Sequence, residues 1–293
     1  SMDARQTDLI LQDITEKLFS HLHGAVDPEV FRVLENPDAD QQEIEGLKTK
    51  IDPEITGRLF SLANAAYAGK LRSGPSKNFY DVVLRLGFEH SKLFILFYAL
   101  PHVLQNREGR LLFAKSFFRY LIAGIVFAKE FRLPVHEKKE LELGALFYEI
   151  GRLLFHSFRH AFPHSFLDYG IDAAFIDTHH RHLGMQFCDY FNFPAGVKDM
   201  VAAEYFTLEA ELVSISGMVM LAHYLVESVF SAGGDKFIIQ APMPDDQDIL
   251  THSTGLVIKE LVASAGLSDY LIIKTVLTAA QMENEVPAVR PRP

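Results

Sequence analysis

His156 and His160 stand one helical turn apart, with Glu149 two turns before His156, a spacing that permits a metal site on a single helix. Two turns span about 10.8 Å along the axis, so Glu149 cannot share an ion with His156. His156, His160 and His164 therefore read as a partly solvated helix end, where the negative pole favours imidazolium. His179, His180, Arg181 and His182 form a second cluster, but neighbours on a helix diverge by about 100° and do not converge. Only His180, one turn before Gly184, has reason to face inward. The stretch Gly144-Ala145-Leu146-Phe147-Tyr148-Glu149-Ile150-Gly151-Arg152 sets a phenol beside a carboxylate. The carboxylate is a ligand type for divalent ions; the phenol is a poor one, because it keeps its proton until about pH 10. Cys188, among Phe187, Tyr190 and Phe191, reads as an inert core thiol. No nucleophile elbow, phosphate-binding loop or dinucleotide fingerprint is present.

The elements that must position these groups come from an ordinary globular composition. The 293 residues are 48% hydrophobic and 23% charged, room for one large or two modest domains. Phenylalanine is abundant, at 24 residues, and tryptophan is absent, so Phe and Leu supply most of the core volume. A formal charge of −10 argues against a nucleic-acid partner, and Lys70, Arg72 and Lys77 read as a solvated basic loop. One cysteine allows no internal disulfide, which fits a reducing, cytoplasmic location. No signal peptide and no membrane-length apolar run is seen, so no membrane partner is expected; the longest apolar run is residues 93–100.

Almost every periodic segment reads as helix. Helices are expected from about residue 9 to 23, over 28–34, around Ile44 and Leu47, and over 53–69, the last started by Asp52 and Pro53. Others are expected over 79–86, 91–104, 116–131, 141–158, 178–191, 195–205, 208–230, 254–265 and 269–282. Residues 236–240 are rich in strand formers, but Pro242 and Pro244 follow, and a loop is expected there.

Four stretches resemble the HDOD family, the HD-related output domain of bacterial signalling proteins. Ile51-Asp52-Pro53-Glu54-Ile55-Thr56 with Leu62-Ala63-Asn64-Ala65-Ala66-Tyr67 is similar to its first block, and Val82-Val83-Leu84-Arg85-Leu86-Gly87 to its second. Leu143 to Arg152 is similar to its central helix, and His180, Gly184 and Phe191-Asn192-Phe193-Pro194 to its last segment. The resemblance implies an all-α, HD-domain/PDEase-like helical bundle with an additional N-terminal helical lobe. It places that lobe at residues 9–108, a degenerate HD-like lobe at 109–230, C-terminal helices at 231–283 and a mobile tail at 284–293.

It also implies a pocket. In active HD-type phosphohydrolases, histidines and aspartates converge there on a divalent ion that polarises phosphate and generates hydroxide. Carried over, those positions fall on Tyr120, Tyr148, Glu149, His180, Glu204, Tyr205 and His223. Glu149, His180, Glu204 and His223 are ligand types; the three tyrosines are not. Asp52, Pro53, Asn64, Gly87, Gly151 and Gly184 are structural positions, with Asn64 either a surface residue or a buried hydrogen-bonder against the next helix. The expectation is a regulatory module with no catalytic residue and no cofactor. It would bind another signalling protein or a small ligand, the latter in a cavity lined by Tyr120, Tyr148 and His180. The alternative is a metal-dependent phosphohydrolase acting on a nucleotide or phosphate ester through Glu149, His180, Glu204 and His223. No feature of the sequence sets an oligomeric state.

Overall fold

The computed structural model describes residues 2–67, 74–100, 107–128, 132–202, 215–233 and 236–239. The helices expected at 254–265 and 269–282, the tail at 284–293, and the pocket candidates Glu204 and Tyr205 lie outside them. The chain divides into two compact units, residues 1–102 with 160–162, and 103–159 with 163–293.

The first unit contains α1 (Ala4–Ala25), α2 (Pro28–Leu34), α3 (Gln41–Gly46), α4 (Pro53–Tyr67), α5 (Phe79–Leu86) and α6 (Phe88–Tyr98). Aspartates start many of them: Asp3 and Asp40 form capping boxes, Asp27 accepts from the Glu29 amide, and Asp52 from that of Glu54. Pro28 and Pro53 take first helical positions, where no amide donor is missed. At the centre lies α6, buried at every residue from His90 to Phe97, with α2, α4 and α5 packed against it. Such an all-round apolar helix is stable only when surrounded. Lys92, buried within it, reaches the Glu35 carboxylate at 3.1 Å. Asn64 is a hydrogen-bonded tie: its Oδ1 accepts from the Ser76 amide at 2.9 Å and from Arg85 at 3.4 Å, joining α4 to α5.

Gly87 joins α5 to α6 with φ at +90°. Its N–H donates to the Val83 carbonyl at 2.7 Å, and its own carbonyl accepts from the Ser91 hydroxyl at 2.7 Å. One residue thus closes one helix and opens the next, in a conformation that strains any residue with a Cβ. Gly87→Ala is expected to lower stability by about 1–2 kcal/mol. A shift of the urea midpoint at unchanged m-value checks it.

The second unit contains α7 (Arg107–Leu121), α8 (Val135–Phe147), α9 (Ile150–Ala161), α10 (Pro163–Asp168), α11 (Ala173–Tyr190), α12 (Ala195–Ala202) and α13 (Ile215–Val229). Its central helix is α8, buried without a break from Leu141 to Phe147 and packed on α7, α12 and α13. Three expectations need correcting. The helix expected over 141–158 is two helices, interrupted at Tyr148 and Glu149, although the apolar pattern runs through the break with no proline to mark it. The helix expected over 116–131 begins earlier, at Arg107, and widens into a π-helical segment, Ile122–Phe127. There Gly124 lies so close to Glu142 of α8 that a Cβ would fall 2.7 Å from its Cγ. Finally, Lys236–Ile239 is a strand, paired antiparallel with Phe230–Gly233 so that Phe230 opposes Ile239. Its strand-forming residues prevail because Pro242 and Pro244 fall beyond the paired segment. The fold is all-α, with this small ribbon as the only sheet among the described residues.

Two glycines set the approach of α9 to α11. A Cβ on Gly151 would lie 1.7 Å from the carbonyl oxygen of His180, and one on Gly184 would lie 3.4 Å from the Gly151 nitrogen. This contact carries His180 and Arg181 to the start of α9, beside the helix break.

Candidate functional site

The break at Tyr148 and Glu149 leaves carbonyls at the end of α8 without helical partners. Two arginines take them. Arg119 of α7 donates from Nε to the Ala145 carbonyl at 3.1 Å and from Nη2 to the Ser116 hydroxyl at 2.9 Å. Arg181 of α11 donates from Nη1 to the Tyr148 carbonyl. Cations at a helix C-terminus are stabilised by its dipole, so the guanidiniums satisfy both hydrogen bonds and charge. They also hold the phenol ring: the Arg181 guanidinium lies 4.0 Å from its centre and that of Arg119 5.9 Å. His223 of α13 packs on Tyr148 with ring centres 4.9 Å apart.

Glu149 immediately precedes α9, and both its oxygens are engaged. Oε1 accepts from Arg181 Nη2 at 3.0 Å, and Oε2 from Arg152 Nε at 2.7 Å. Arg152 also donates from Nη1 to Asp177 at 2.6 Å. Burial alone would push the Glu149 carboxyl up, but Arg119 and Arg181 outweigh it and hold the group below its ordinary value. The opposite balance holds for Tyr148, where burial dominates and keeps the phenol protonated.

His180 is 6% exposed, and its Nδ1 has no hydrogen-bond partner. Burial pulls its imidazole from 6.5 down to about 4, against the opposing pull of Glu149. With the folded value the lower, the unfolded chain takes up the proton first. The stability this histidine contributes is therefore full above about pH 6.5 and lost as the pH falls toward 4. The loss is expected to reach about 3 kcal/mol, and His180→Gln is expected to flatten that limb of the unfolding profile between pH 7 and 4.

Five of the seven sequence-derived pocket residues are described; Glu204 and Tyr205 are not. Tyr148, Glu149 and His180 are all buried around the break, and His223 packs on Tyr148 with the rings tilted by 55°. Tyr120 is buried too, with its ring stacked on Phe117 at 6.0 Å, and its neighbour Arg119 lies against Tyr148. Cys188 is buried, and burial pushes its thiol up to about 12, in keeping with an inert core residue. Sequence reasoning missed Arg119, Arg152 and Arg181. One signal was available: Arg152 follows Glu149 at i+3, the spacing of an ion pair.

The family's divalent ion can be tested against this donor set. The unpartnered Nδ1 of His180 is a suitable ligand atom, but Glu149 is not, because both oxygens accept from guanidinium groups. An ion at that carboxylate would meet like charge from Arg181, Arg152 and Arg119 at short range. Among the described residues, no three His, Cys, Asp or Glu side chains converge. With Glu149 held by two guanidinium groups, Glu149 and His180 do not make a divalent metal centre; Glu204 lies outside the described residues.

The HDOD domain family matches residues 25–206. Among solved structures, a candidate metal-dependent phosphohydrolase from Shewanella amazonensis SB2B is similar at 17% identity and a TM-score of 0.56, covering 94% of this chain and 99% of its own. An HDOD domain protein of unknown function from Geobacter sulfurreducens is similar at 17% identity and 0.52, covering 95% and 97%. A second candidate phosphohydrolase from the same Shewanella is similar at 17% identity and 0.51, covering 94% and 95%. Likeness at this identity concerns the fold alone. No curated protein matches the chain. Among the described residues, no helix is long and apolar enough to cross a membrane.

Proposed function

We infer that this chain, which belongs to the HDOD domain family, is a non-catalytic regulatory module that acts by binding a signalling protein or a small ligand. One observation carries the reading: the Glu149 carboxylate is held between Arg181 and Arg152, with Arg119 adding a third positive charge. A hydrolase of the HD type needs its carboxylates free to ligate, and its ion needs negative surroundings. Here the carboxylate serves the protein's own cations, and it secures the junction of α8, α9 and α11. The tyrosine beside it is protonated and packed, a filler and not a ligand.

The phosphohydrolase reading would require Arg152 and Arg181 to release Glu149 before any ion could bind. Elemental analysis of the purified chain, with a phosphodiesterase assay on cyclic mono- and dinucleotides, separates the two. The expected result is no turnover, with or without added Mn²⁺ or Fe²⁺. Stoichiometric iron, manganese or zinc, with hydrolysis abolished by Glu149→Ala, would reverse the conclusion.

A further inference from the structure

Next to the Glu149 cluster, α9 and the start of α11 border a cleft of about 380 Å³. That volume falls in the range of about 300–1,000 Å³ over which small-molecule sites are found. Its lining is divided in kind. Phe155, Phe166 and Ile171 are buried and supply an apolar wall. Arg152, His156 and Arg159 recur along α9 at i, i+4 and i+7, which brings all three to one face above that wall.

The carboxylates of the cleft are mostly occupied. Asp172 spends an oxygen on the Phe175 amide at 2.8 Å, capping α11, and Asp177 is bonded to Arg152 at 2.6 Å. Glu108 faces the His156 ring at 3.8 Å. Arg159 differs. It is exposed, its guanidinium lies over the Phe166 ring at 5.6 Å, and among the described residues it pairs with no carboxylate. A cation on an aromatic face, at the mouth of an apolar cleft, offers an anion and a ring adjoining places. Polyanions are disfavoured, since three carboxylates share the rim.

We propose that this cleft is a ligand site for a flat apolar ring bearing one anionic group, with the ring against Phe166 and Ile171 and the anion on Arg159. The shared chemistry has two sources, an aryl carboxylate or a nucleoside monophosphate. The inference rests on the non-catalytic reading and gives it a site: the cleft, and not the packed space around Tyr148. Arg152 supplies a route between them, since one guanidinium bonds Asp177 in the cleft and Glu149 at the helix break. An anion that draws Arg152 toward the cleft loosens its hold on Glu149.

Calorimetry and thermal shift on the full chain test this with four probes: substituted benzoates, nucleoside monophosphates, inorganic phosphate, and the neutral amides and nucleosides. One of the first two sets is expected to bind at least tenfold more tightly than phosphate alone or the neutral rings. Arg159→Gln, on an exposed side chain, is expected to weaken binding at least tenfold with the ligand-free melting temperature unchanged. Ala173→Trp, which fills the cleft, is expected to abolish it. Hydrogen exchange across residues 148–152 is expected to change on binding. No binding by either anionic set, or equal binding by both variants, overturns the site; unaltered exchange overturns the link to Glu149. Either failure would leave the non-catalytic reading intact, whereas metal-dependent turnover would sink that reading without touching binding at Arg159.

Discussion

Glu149→Gln is expected to destabilise the protein by about 3–5 kcal/mol, the usual consequence of removing one partner from a buried charge pair. The replacement keeps the shape of the side chain, removes its charge and turns one of its two accepting oxygens into an NH2 donor. Arg181 and Arg119, both against the Tyr148 ring, then lose the negative charge that offsets them. Arg181→Gln is expected to cost less, since Arg152 remains on Glu149, and Arg152→Gln less again, since that side chain is 30% exposed. Urea unfolding at pH 7 ranks the three. The acid limb gives a second readout. The folded Glu149 carboxyl is held below its ordinary value, so its contribution is present above about pH 4.5 and lost as the pH falls through the folded value. The Gln variant is expected to lack that loss. The opposite outcome is informative: a ligand held in place for a metal is usually strained in the empty protein, so removing it would leave stability unchanged or raised.

The second large effect is at Gly151. A Cβ there would lie 1.7 Å from the backbone oxygen of His180 and 2.5 Å from its carbon, and a backbone atom cannot swing aside as a side chain does. Either α9 or α11 must move, and with it the hydrogen bonds that Arg181 makes to Tyr148 and Glu149. Gly151→Ala is expected to lower stability by about 3 kcal/mol. Gly144 is a useful contrast. A Cβ on it would meet the Met200 sulfur at 2.3 Å, but that is the far end of a flexible side chain, and Gly144→Ala is expected to cost about 1 kcal/mol. Near-equal losses at the two positions would contradict the rigid crossing of α9 and α11.

The elements were largely readable from apolar period, and Asp52 with Pro53 marked the start of α4; Asp3, Asp27 and Asp40 cap their helices in the same way, and α1 begins at Ala4 where the apolar period suggested about residue 9. The break at Tyr148 was not readable. Leu146, Phe147, Ile150, Leu153 and Leu154 are all buried on both sides of it, so hydrophobic pattern alone gives one helix. Tertiary hydrogen bonds from α7 and α11 make the interruption tolerable, and those partners lie 26 and 33 residues away in sequence. Glu149 and His180 were identifiable as candidate groups, yet the arginines that define the chemistry were not. Arg181 adjoins the inward-facing His180, and divergence of helical neighbours argued against it. An arginine is long enough to return its head to a site its Cβ points away from. Arg119 was likewise overshadowed by Tyr120, one position along.

Guanidinium charge around Glu149 is expected to exclude a divalent ion, and calorimetric titration of Mn²⁺ into the purified chain checks this. No binding isotherm is expected at micromolar concentrations, in wild type and Glu149→Gln alike. A one-to-one isotherm in the wild type that disappears in Glu149→Gln would contradict it.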